Sequence, residues 1–397
     1  FPARVAVVAA GVISPLGRGI EETSAALRSG RDCITPVEQF DVTSCRCRTA
    51  GQIPDAWLQS AAIPARRAHR LHRAARMMIT ALEETLAQEP GFQPELTIVG
   101  TTSGGMTFGE EYFRALHGRG NLHRAASLIA NYTPQKAIMD AQEACGISAP
   151  CQIIANACAS GTNAIGHAFE CVRSGRYQRV LTGGYDALSE LVFVGFDSLQ
   201  ASTADKCRPF DTGRTGLVLG EGAALLALEN LEAAQARGAK ILAEVVGYGI
   251  STDNHHLTQP NPSGSGARQA MERALASADL AASEVDYINA HGTATPFNDA
   301  AEGKAIAELF GRVPVSSTKG MMGHSLGAAG AIEGVISLLA LRDQVLPPNI
   351  NFRESDPALH LEIVANESRP ARIRTILSNS FGFGGTNASI IFRSPAA

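Results

Sequence analysis

Residues 151–169 read Cys-Gln-Ile-Ile-Ala-Asn-Ala-Cys-Ala-Ser-Gly-Thr-Asn-Ala-Ile-Gly-His-Ala-Phe. An apolar stretch typical of a strand ends in small residues, and an amphipathic stretch typical of a helix follows. This order of strand, sharp turn and helix is that of a nucleophile elbow, with Cys158 at the turn. The positive end of a helix lowers the pKa of a thiol, so we expect Cys158 to be activated. The alternative is a core cysteine, since free cysteines are commonly buried.

Three further segments place polar residues at the ends of predicted strands and helices. They are residues 289–299 (NAHGTATPFND), 316–330 (SSTKGMMGHSLGAAG) and 378–387 (SNSFGFGGTN). Each has a structural explanation when taken alone, because glycines make tight turns and many histidines are structural. The glycine-rich turn also lacks the Lys-Ser/Thr pair of a phosphate loop. Together, however, the segments add His291, Lys319 and His324 to Cys158.

With these motifs, the chain resembles the β-ketoacyl-acyl-carrier-protein synthases of the type I/II class, which are elongating condensing enzymes of the thiolase superfamily. The matching strings, in family order, are ACASG (157–161), RPFDTGRTGLVLGEG (208–222), HGTAT (291–295), KGMMGHSLGAAG (319–330) and NSFGFGGTN (379–387). The resemblance implies an α/β thiolase fold of two related halves in a five-layered arrangement. We place an N-terminal half that carries the cysteine at 1–240 and a C-terminal half that carries the His/Lys/His residues at 241–397.

The periodicity agrees with alternating strands and helices. An apolar strand pattern at 4–13 recurs at 239–250, which weakly supports a duplication. Helical patterns are predicted over 21–29, 69–88, 224–237, 265–278 and 300–310.

The resemblance also implies the reaction, a decarboxylative Claisen condensation of an acyl-cysteine enzyme with a malonyl-carrier to give a β-ketoacyl-carrier. By this resemblance Cys158 is acylated, and its backbone amide and that of Phe383 bind the oxyanion. His291 and His324 then stabilise the enolate that remains after carbon dioxide leaves. Lys319 is expected to orient His324 and Glu333 rather than transfer protons.

Other residues receive supporting roles from the same resemblance. The pantetheine arm is assigned to Thr293 and Thr295, the gate between acyl and malonyl sites to Phe381 and Phe383, and the polar groups behind the catalytic residues to Asn289, Glu302, Glu333, Ser378 and Asn379. Some of these groups hold a structural monovalent cation in relatives, and a buried polar set without an ion is the alternative. No other cofactor is required beyond the phosphopantetheine of the carrier.

Ser103 departs from the family pattern. Relatives that elongate fatty acids often place a bulky apolar residue before the paired glycines of this segment, where it narrows the acyl pocket. A serine leaves more room or a more polar wall, which favours a specialised polyene or polyketide chain over a standard fatty acid. Compensation by Met106 or Phe108 is the alternative, and the sequence does not choose between them.

A cluster of arginines lies at residues 66–76, in a chain of net charge −4. On one helix, Arg66, Arg70 and Arg73 would share a face. By resemblance the partner is an acidic carrier protein, so we predict docking on these three and on Arg208. A solvated helix surface is the alternative. We also expect a homodimer, with a heterodimer with a related subunit left open, and no nucleic-acid partner.

Composition limits the remaining choices. The chain has 397 residues and eight cysteines, with no spacing typical of a zinc site, so we expect no metal centre and reduced thiols in the cytoplasm. No stretch is long and apolar enough to predict a membrane span.

A silent partner subunit that controls chain length remains an alternative function. Thiolase chemistry is disfavoured because it needs a second, late cysteine, and the last one here is Cys207.

Overall fold

The computed structural model describes residues 2–63 and 65–395, and over these ranges it contains sixteen strands and thirteen α-helices. The strands are β1 (Val5–Ser14), β2 (Gly17–Arg18), β3 (Ile34–Pro36), β4 (Thr49–Gly51), β5 (Leu96–Gly100), β6 (Cys151–Ile154), β7 (Arg179–Asp186), β8 (Gly222–Asn230), β9 (Ala243–Thr252), β10 (Tyr287–Asn289), β11 (Pro314–Ser316), β12 (Val345–Leu346), β13 (Glu362–Ile363), β14 (Arg369–Pro370), β15 (Thr375–Gly382) and β16 (Thr386–Arg393). The helices are α1 (Ile20–Ser29), α2 (Ala65–Ala68), α3 (Arg73–Gln88), α4 (Met106–Leu116), α5 (Leu122–Leu128), α6 (Lys136–Cys145), α7 (Ser160–Arg173), α8 (Glu190–Ser198), α9 (Leu231–Ala236), α10 (Ser265–Ala278), α11 (Pro296–Phe310), α12 (Lys319–Met322) and α13 (Ala329–Asp343).

Two sets of strands repeat one order. The first runs β1-β8-β7-β5-β6 and the second β9-β16-β15-β10-β11, extended by β13. The strands β7, β5 and β6 of the first set are parallel to one another, and so are β15, β10 and β11 of the second. The pairings of β1 with β8, β8 with β7, β9 with β16 and β16 with β15 are antiparallel. The sets join where β1 pairs with β9 antiparallel. This repeated topology is that of a duplicated α/β unit. The predicted boundary at residue 240 falls between α9 and β9, and it stays a prediction.

Helices complete the five layers of the thiolase fold. On the outer side of the first set, α3 packs on β1 and β8 and is flanked by α6, whereas α10 packs on β9 and β16 and is flanked by α11. Between the sets lie α7 and α13, which contact each other and strands of both sets. Residues 329–341 of α13 are buried on every side, as expected for a helix that is apolar all round.

Two of the predicted helices are wrong in part. Residues 222–230 form β8 instead of the start of a helix, because this apolar run lies between β1 and β7 and is buried on both faces. The helix predicted over 69–88 begins only at Arg73. The ring Nδ1 of His72 accepts the backbone N–H of Ala74 at 3.1 Å and so caps α3.

Close contact between α7 and α13 depends on residues without side chains. A Cβ on Gly161 would lie 2.8 Å from the backbone nitrogen of Ala331 and 2.8 Å from the carbonyl oxygen of Gly327. Both central helices therefore begin at almost the same place in the molecule. None of the helices in the described ranges is long and apolar enough to cross a bilayer.

Candidate active site

Cys158 lies in the turn between β6 and α7. The preceding Ala157 has a φ of 56°, a left-handed conformation that a non-glycine residue adopts only when its surroundings hold it. Ser160 supplies this support, because its Oγ donates to the Ala157 carbonyl at 2.6 Å and accepts the Asn156 N–H at 2.9 Å. The turn thus has the shape expected of a nucleophile elbow.

The thiol of Cys158 is not ionised by its position alone. Burial raises its pKa to about 12, although the charge of Lys319 and the backbone N–H groups of Cys158 and Phe383 act in the opposite direction. The direction is opposite to the expected lowering, because desolvation of the buried thiol is a larger influence than the nearby charge and N–H groups. The sulfur must lose its proton as it attacks.

Two histidine rings face each other beside the sulfur. The centroids of His291 and His324 are 5.2 Å apart, with the ring planes at 82°. Burial and the charge of Lys319 hold the pKa of both rings well below the ordinary value, so both are neutral. Within the described residues, Nδ1 of His291 and both ring nitrogens of His324 have no hydrogen-bond partner. Such unpaired nitrogens are suited to receive a polar group of a substrate.

Glu302 fixes the backbone that carries His291. Its two oxygens accept the N–H groups of His291 and Gly292, each at 2.8 Å. Asn379 and Asn298 also donate to it, at 3.1 and 3.2 Å. Burial raises the pKa of Glu302 to about 7, and these donors oppose the rise. The carboxylate therefore serves as an anchor behind the site.

Lys319 and Glu333 form an ion pair with both side chains fully buried. Burial raises the pKa of Glu333, and the adjacent ammonium opposes this shift. The predicted contact with Glu333 is present, but the predicted orientation of His324 by Lys319 is not. Neither ring nitrogen of His324 has a partner, so Lys319 acts on that ring through its charge.

Three buried oxygens near this pair have no hydrogen-bond partner: Oδ1 of Asn289, Oε2 of Glu333 and Oγ of Ser378. Asn289 donates to the backbone oxygen of Glu333 at 3.1 Å and lies opposite Ser378 in the β10–β15 register. Hard oxygen ligands of this kind fit a monovalent cation. In the described part of the chain, no group of three or more His, Cys, Asp or Glu residues is arranged to hold a metal ion.

A cleft of about 210 Å³ brings most of the predicted residues together. Its lining includes Cys158, His291, Thr293, Thr295, His324, Phe381 and Phe383. The hydroxyls of Thr293 and Thr295 are 2.8 Å apart. A Cβ on Gly382 would lie 3.2 Å from the backbone nitrogen of Cys158, so the strand that leads to Phe383 passes beside the nucleophile.

Ser103 does not line this cleft. Its side chain is buried and its Oγ has no partner, while its N–H donates to Asp186 at 2.8 Å. The neighbouring Thr102 hydroxyl donates to the Ala157 carbonyl at 3.2 Å, which places this loop behind the nucleophile turn. Its role in chain selection stays a prediction.

The docking prediction must be corrected for Arg73 and Arg208. The Arg73 side chain is 15 % exposed and binds Glu221 and Asp55, and that of Arg208 is 3 % exposed and pairs with Asp205. These ion pairs leave neither guanidinium presented to a partner. Arg66, Arg70 and Arg73 also share no helix face, because α2 ends at Ala68 and α3 begins at Arg73. Arg66 and Arg70 themselves are exposed.

Three residues of the site region were missed in the sequence. Phe196 of α8 stacks on Phe383 with centroids 5.5 Å apart, and Asn298 donates to Glu302. Asp186 lies buried at the end of β7. Asn298 lies within the 289–299 motif. Phe196, in an apolar helix, and Asp186, at the end of a strand, offered no local signal in the sequence.

Comparisons with known proteins agree with this geometry. Residues 3–234 match the model of the β-ketoacyl synthase N-terminal domain, and residues 242–353 match that of the C-terminal domain. The chain is 36% identical to 3-oxoacyl-[acyl-carrier-protein] synthase 2 of Staphylococcus aureus (strain COL), over 98% of both chains.

Solved structures agree as well. The ishigamide ketosynthase/chain length factor is similar with a TM-score of 0.91 and 33% identity, over 100% of both chains. A ketosynthase solved with its type II polyketide synthase acyl-carrier protein is similar with a TM-score of 0.89 and 28% identity, also over 100% of both. This chain belongs to the β-ketoacyl synthase family.

Lys319→Met is expected to lower the free energy of unfolding by about 3–5 kcal/mol, because it removes the side chain that pairs with the buried Glu333 carboxylate. Denaturant unfolding measures this loss. The double variant Lys319→Met/Glu333→Leu should recover most of it, since the uncompensated charge is gone. Arg268→Met, which breaks an exposed pair with Glu272, should change little. A Lys319→Met protein as stable as the parent would contradict the assignment.

Proposed function

We propose that this protein joins an acyl group, held on Cys158, to the two-carbon unit of a malonyl-carrier and releases a β-ketoacyl-carrier. The observation that carries the proposal is the composition of one cleft. It combines a thiol, two neutral histidines with unpaired ring nitrogens, and a backbone N–H that points at the sulfur. Decarboxylative condensation requires these groups together.

In the first half-reaction the Cys158 sulfur attacks the carbonyl carbon of an acyl thioester. The negative charge on the carbonyl oxygen is bound by the N–H groups of Cys158 and Phe383, which stabilise charge as it develops. The carbon–sulfur bond to the carrier then breaks. The proton lost by Cys158 leaves with the carrier thiol, and the acyl group remains on the enzyme.

In the second half-reaction the bond between the malonyl carboxylate and its α-carbon breaks, and carbon dioxide leaves. The electron pair moves to the thioester oxygen as an enolate, which accepts N–H donation from His291 and His324. Neutral rings suit this role, because the site must donate hydrogen bonds without protonating the carbanion. The α-carbon attacks the acyl carbonyl, and the Cys158 sulfur leaves as a thiolate that takes up a proton from solvent water, because its first proton left with the carrier thiol.

Relatives support this reaction and leave one alternative. The Staphylococcus relative is named 3-oxoacyl-[acyl-carrier-protein] synthase 2, and one structural relative is a ketosynthase with a chain length factor. A chain-length-controlling partner subunit with little activity is therefore the second candidate. The presence of Cys158, His291, Lys319 and His324 favours the active enzyme. Cys207, the last cysteine, is buried and outside the cleft lining, so it offers no thiolase-like second thiol.

The acyl chain is a finer proposal. We infer a specialised polyene or polyketide chain from Ser103, with saturated fatty-acid elongation as the alternative. Intact-mass analysis of the acyl-enzyme from a panel of acyl-carriers, with Ser103→Phe alongside, distinguishes them. Identical chain-length profiles for the two proteins would remove the support that Ser103 provides.

We also propose that Asn289, Glu333 and Ser378 hold a monovalent cation through their unpaired oxygens. The ion would supply positive charge that helps to neutralise the Glu333 carboxylate. A thermal unfolding midpoint that does not change when potassium and sodium are replaced by choline would contradict the cation proposal.

A cytoplasmic location is proposed because all eight cysteines are free thiols, and cell fractionation tests this location.

Cys158→Ala is expected to form no acyl-enzyme by intact mass. His291→Ala and His324→Ala should still acylate in part, but release carbon dioxide from malonyl-carrier about 10²–10³-fold more slowly, because each removes an oxyanion donor. His167→Ala, an exposed position on α7, is the matched control and should behave as the parent. Near-normal decarboxylation in both cleft variants would overturn the role of the histidines.

Arg66→Glu/Arg70→Glu is expected to lower kcat/KM for carrier-borne substrates on the order of tenfold at low salt, because basic rims steer acidic partners. Small thioester substrates should react normally. The control Arg312→Glu/Arg372→Glu makes the same charge change at two exposed arginines of the second half. Kinetics over a salt series measure the effect. Equal losses with carrier-borne and small substrates would show that docking is not involved.

Assembly through one face is a further proposal. Residues 106–139 expose Phe113, Leu116, Leu122, Tyr132 and Met139, and β6 ends the sheet of the described residues. Exposed apolar patches and free strand edges are usually covered by a partner. A second copy of this chain is the proposed partner, and a related subunit is the alternative.

Light scattering should therefore give a dimer mass for the parent protein, and Phe113→Asp should shift the mass towards the monomer. The control Phe297→Asp changes an exposed phenylalanine at the cleft mouth and should keep the dimer. A parent protein that is monomeric alone, and pairs only with a related chain, would favour the heterodimer.

A further inference from the structure

Asp186 is a buried carboxylate that the proposed reaction does not use. It ends β7, is 0% exposed and accepts four hydrogen bonds. Oδ1 accepts the Thr101 hydroxyl and the Ser103 N–H, both at 2.8 Å. Oδ2 accepts the Thr102 N–H at 2.8 Å and the Gly327 N–H at 2.7 Å. Four donors converge on one group, and within the described residues none of the ion pairs includes it.

The donors come from two segments that support different catalytic groups. The loop at 101–103 reaches the nucleophile turn, because the Thr102 hydroxyl donates to the carbonyl of Ala157, next to Cys158. Gly327 lies three residues after His324, in the 3₁₀ turn that precedes α13. One carboxylate thus joins the support of the nucleophile to the segment that carries a histidine of the cleft.

The contact between the two segments leaves no space for adjustment. A Cβ on Gly327 would lie 2.6 Å from the Thr102 nitrogen and 2.7 Å from Oδ2 of Asp186. Close-packed interiors transmit a displacement instead of absorbing it. A change at the carboxylate should therefore move the 101–103 loop relative to Gly327, and with them Cys158 relative to His324.

We propose that Asp186 is a positioning residue that keeps Cys158 and His324 in the relative positions needed for carbon–carbon bond formation. The inference rests on the condensation proposed above. A carboxylate is required at this position because all four partners are donors. An amide of the same shape would turn N–H groups towards two of them.

The charge of Asp186 also affects the pH at which the Cys158 thiol ionises. A purely structural residue would not change that pH, so it is a second quantity to measure. The charged side chains that act on the Cys158 sulfur are Lys319, which lowers its pKa, and Asp186, which raises it. The two rings that face it, His291 and His324, are neutral. Removing the negative charge should therefore make the thiol ionise at lower pH.

The experiment compares Asp186→Asn with Asp211→Asn in the full chain. Asp211 is also buried, and it accepts the backbone N–H groups of Arg353, Glu354 and Gly213 in a loop outside the cleft lining. Asp186→Asn is expected to acylate but to lose about a hundredfold in kcat for condensation, the scale of a small misplacement of reacting groups. Its pH midpoint for alkylation of Cys158 by iodoacetamide should fall. Asp211→Asn should lower the unfolding midpoint but keep the parent's kcat and alkylation midpoint.

The outcomes are distinguishable. If both variants lose kcat only in proportion to folded protein, and the alkylation midpoint is unchanged, Asp186 is structural and the proposal fails. If Asp186→Asn does not fold, Thr101→Val removes one donor and keeps the charge. It should lower kcat by a smaller factor without moving the midpoint, and parent-like kcat there overturns the proposal. A parent protein that forms no β-ketoacyl product would instead defeat the proposed function.

Discussion

The close approach of α7 and α13 is the constraint on which the site depends. Each helix is buried between the two sets of strands, and glycines at 161 and 327 let their N-terminal ends come together. A nucleophile that precedes one helix and a histidine that precedes the other are then neighbours, although 166 positions separate them along the chain (324 − 158). Side chains at the crossing would force the two ends apart and divide the cleft.

Burial is the largest influence on the pKa of three groups in the cleft, the Cys158 thiol and the two histidine rings. Desolvation keeps the Cys158 thiol protonated and both histidines neutral. Lys319 is the cation that opposes ionisation of the rings and favours that of the sulfur, and Glu333 compensates its charge. A neutral resting site has a chemical use. In the proposed reaction, the negative charge that develops at the oxyanion and the enolate would meet hydrogen-bond donors instead of an acid that could protonate it.

The sequence allowed prediction of what depends on short motifs. The turn at Cys158 and the polar segments that carry histidines 291 and 324 follow from residue type and local spacing, and the Lys319–Glu333 contact was implied by the family resemblance of those motifs. Burial between layers could not be read from local spacing. Arg73 looked like a surface cation, but Glu221, 148 positions away, holds it inside. The strand β8 looked helical because an apolar run buried on both faces has no period. The burial that raises the thiol pKa also depends on how the layers pack, which local spacing does not show.

The duplication explains why the site needs both halves. The parallel strands β5, β6 and β7 correspond in order to β10, β11 and β15, and the segments at the ends of these six strands line the cleft or lie directly behind it. After β6 comes Cys158, and after β11 comes the segment with His324. After β15 comes Phe383, the proposed oxyanion donor, and its counterpart at the end of β7 is Asp186. In the proposed reaction these equivalent positions have complementary tasks: the first half supplies the nucleophile and the Asp186 carboxylate, and the second supplies the donors for developing negative charge. The Asp186 carboxylate of the first half accepts the Gly327 N–H of the second, and by the proposed role of Asp186 each half then helps to hold the catalytic groups of the other in place.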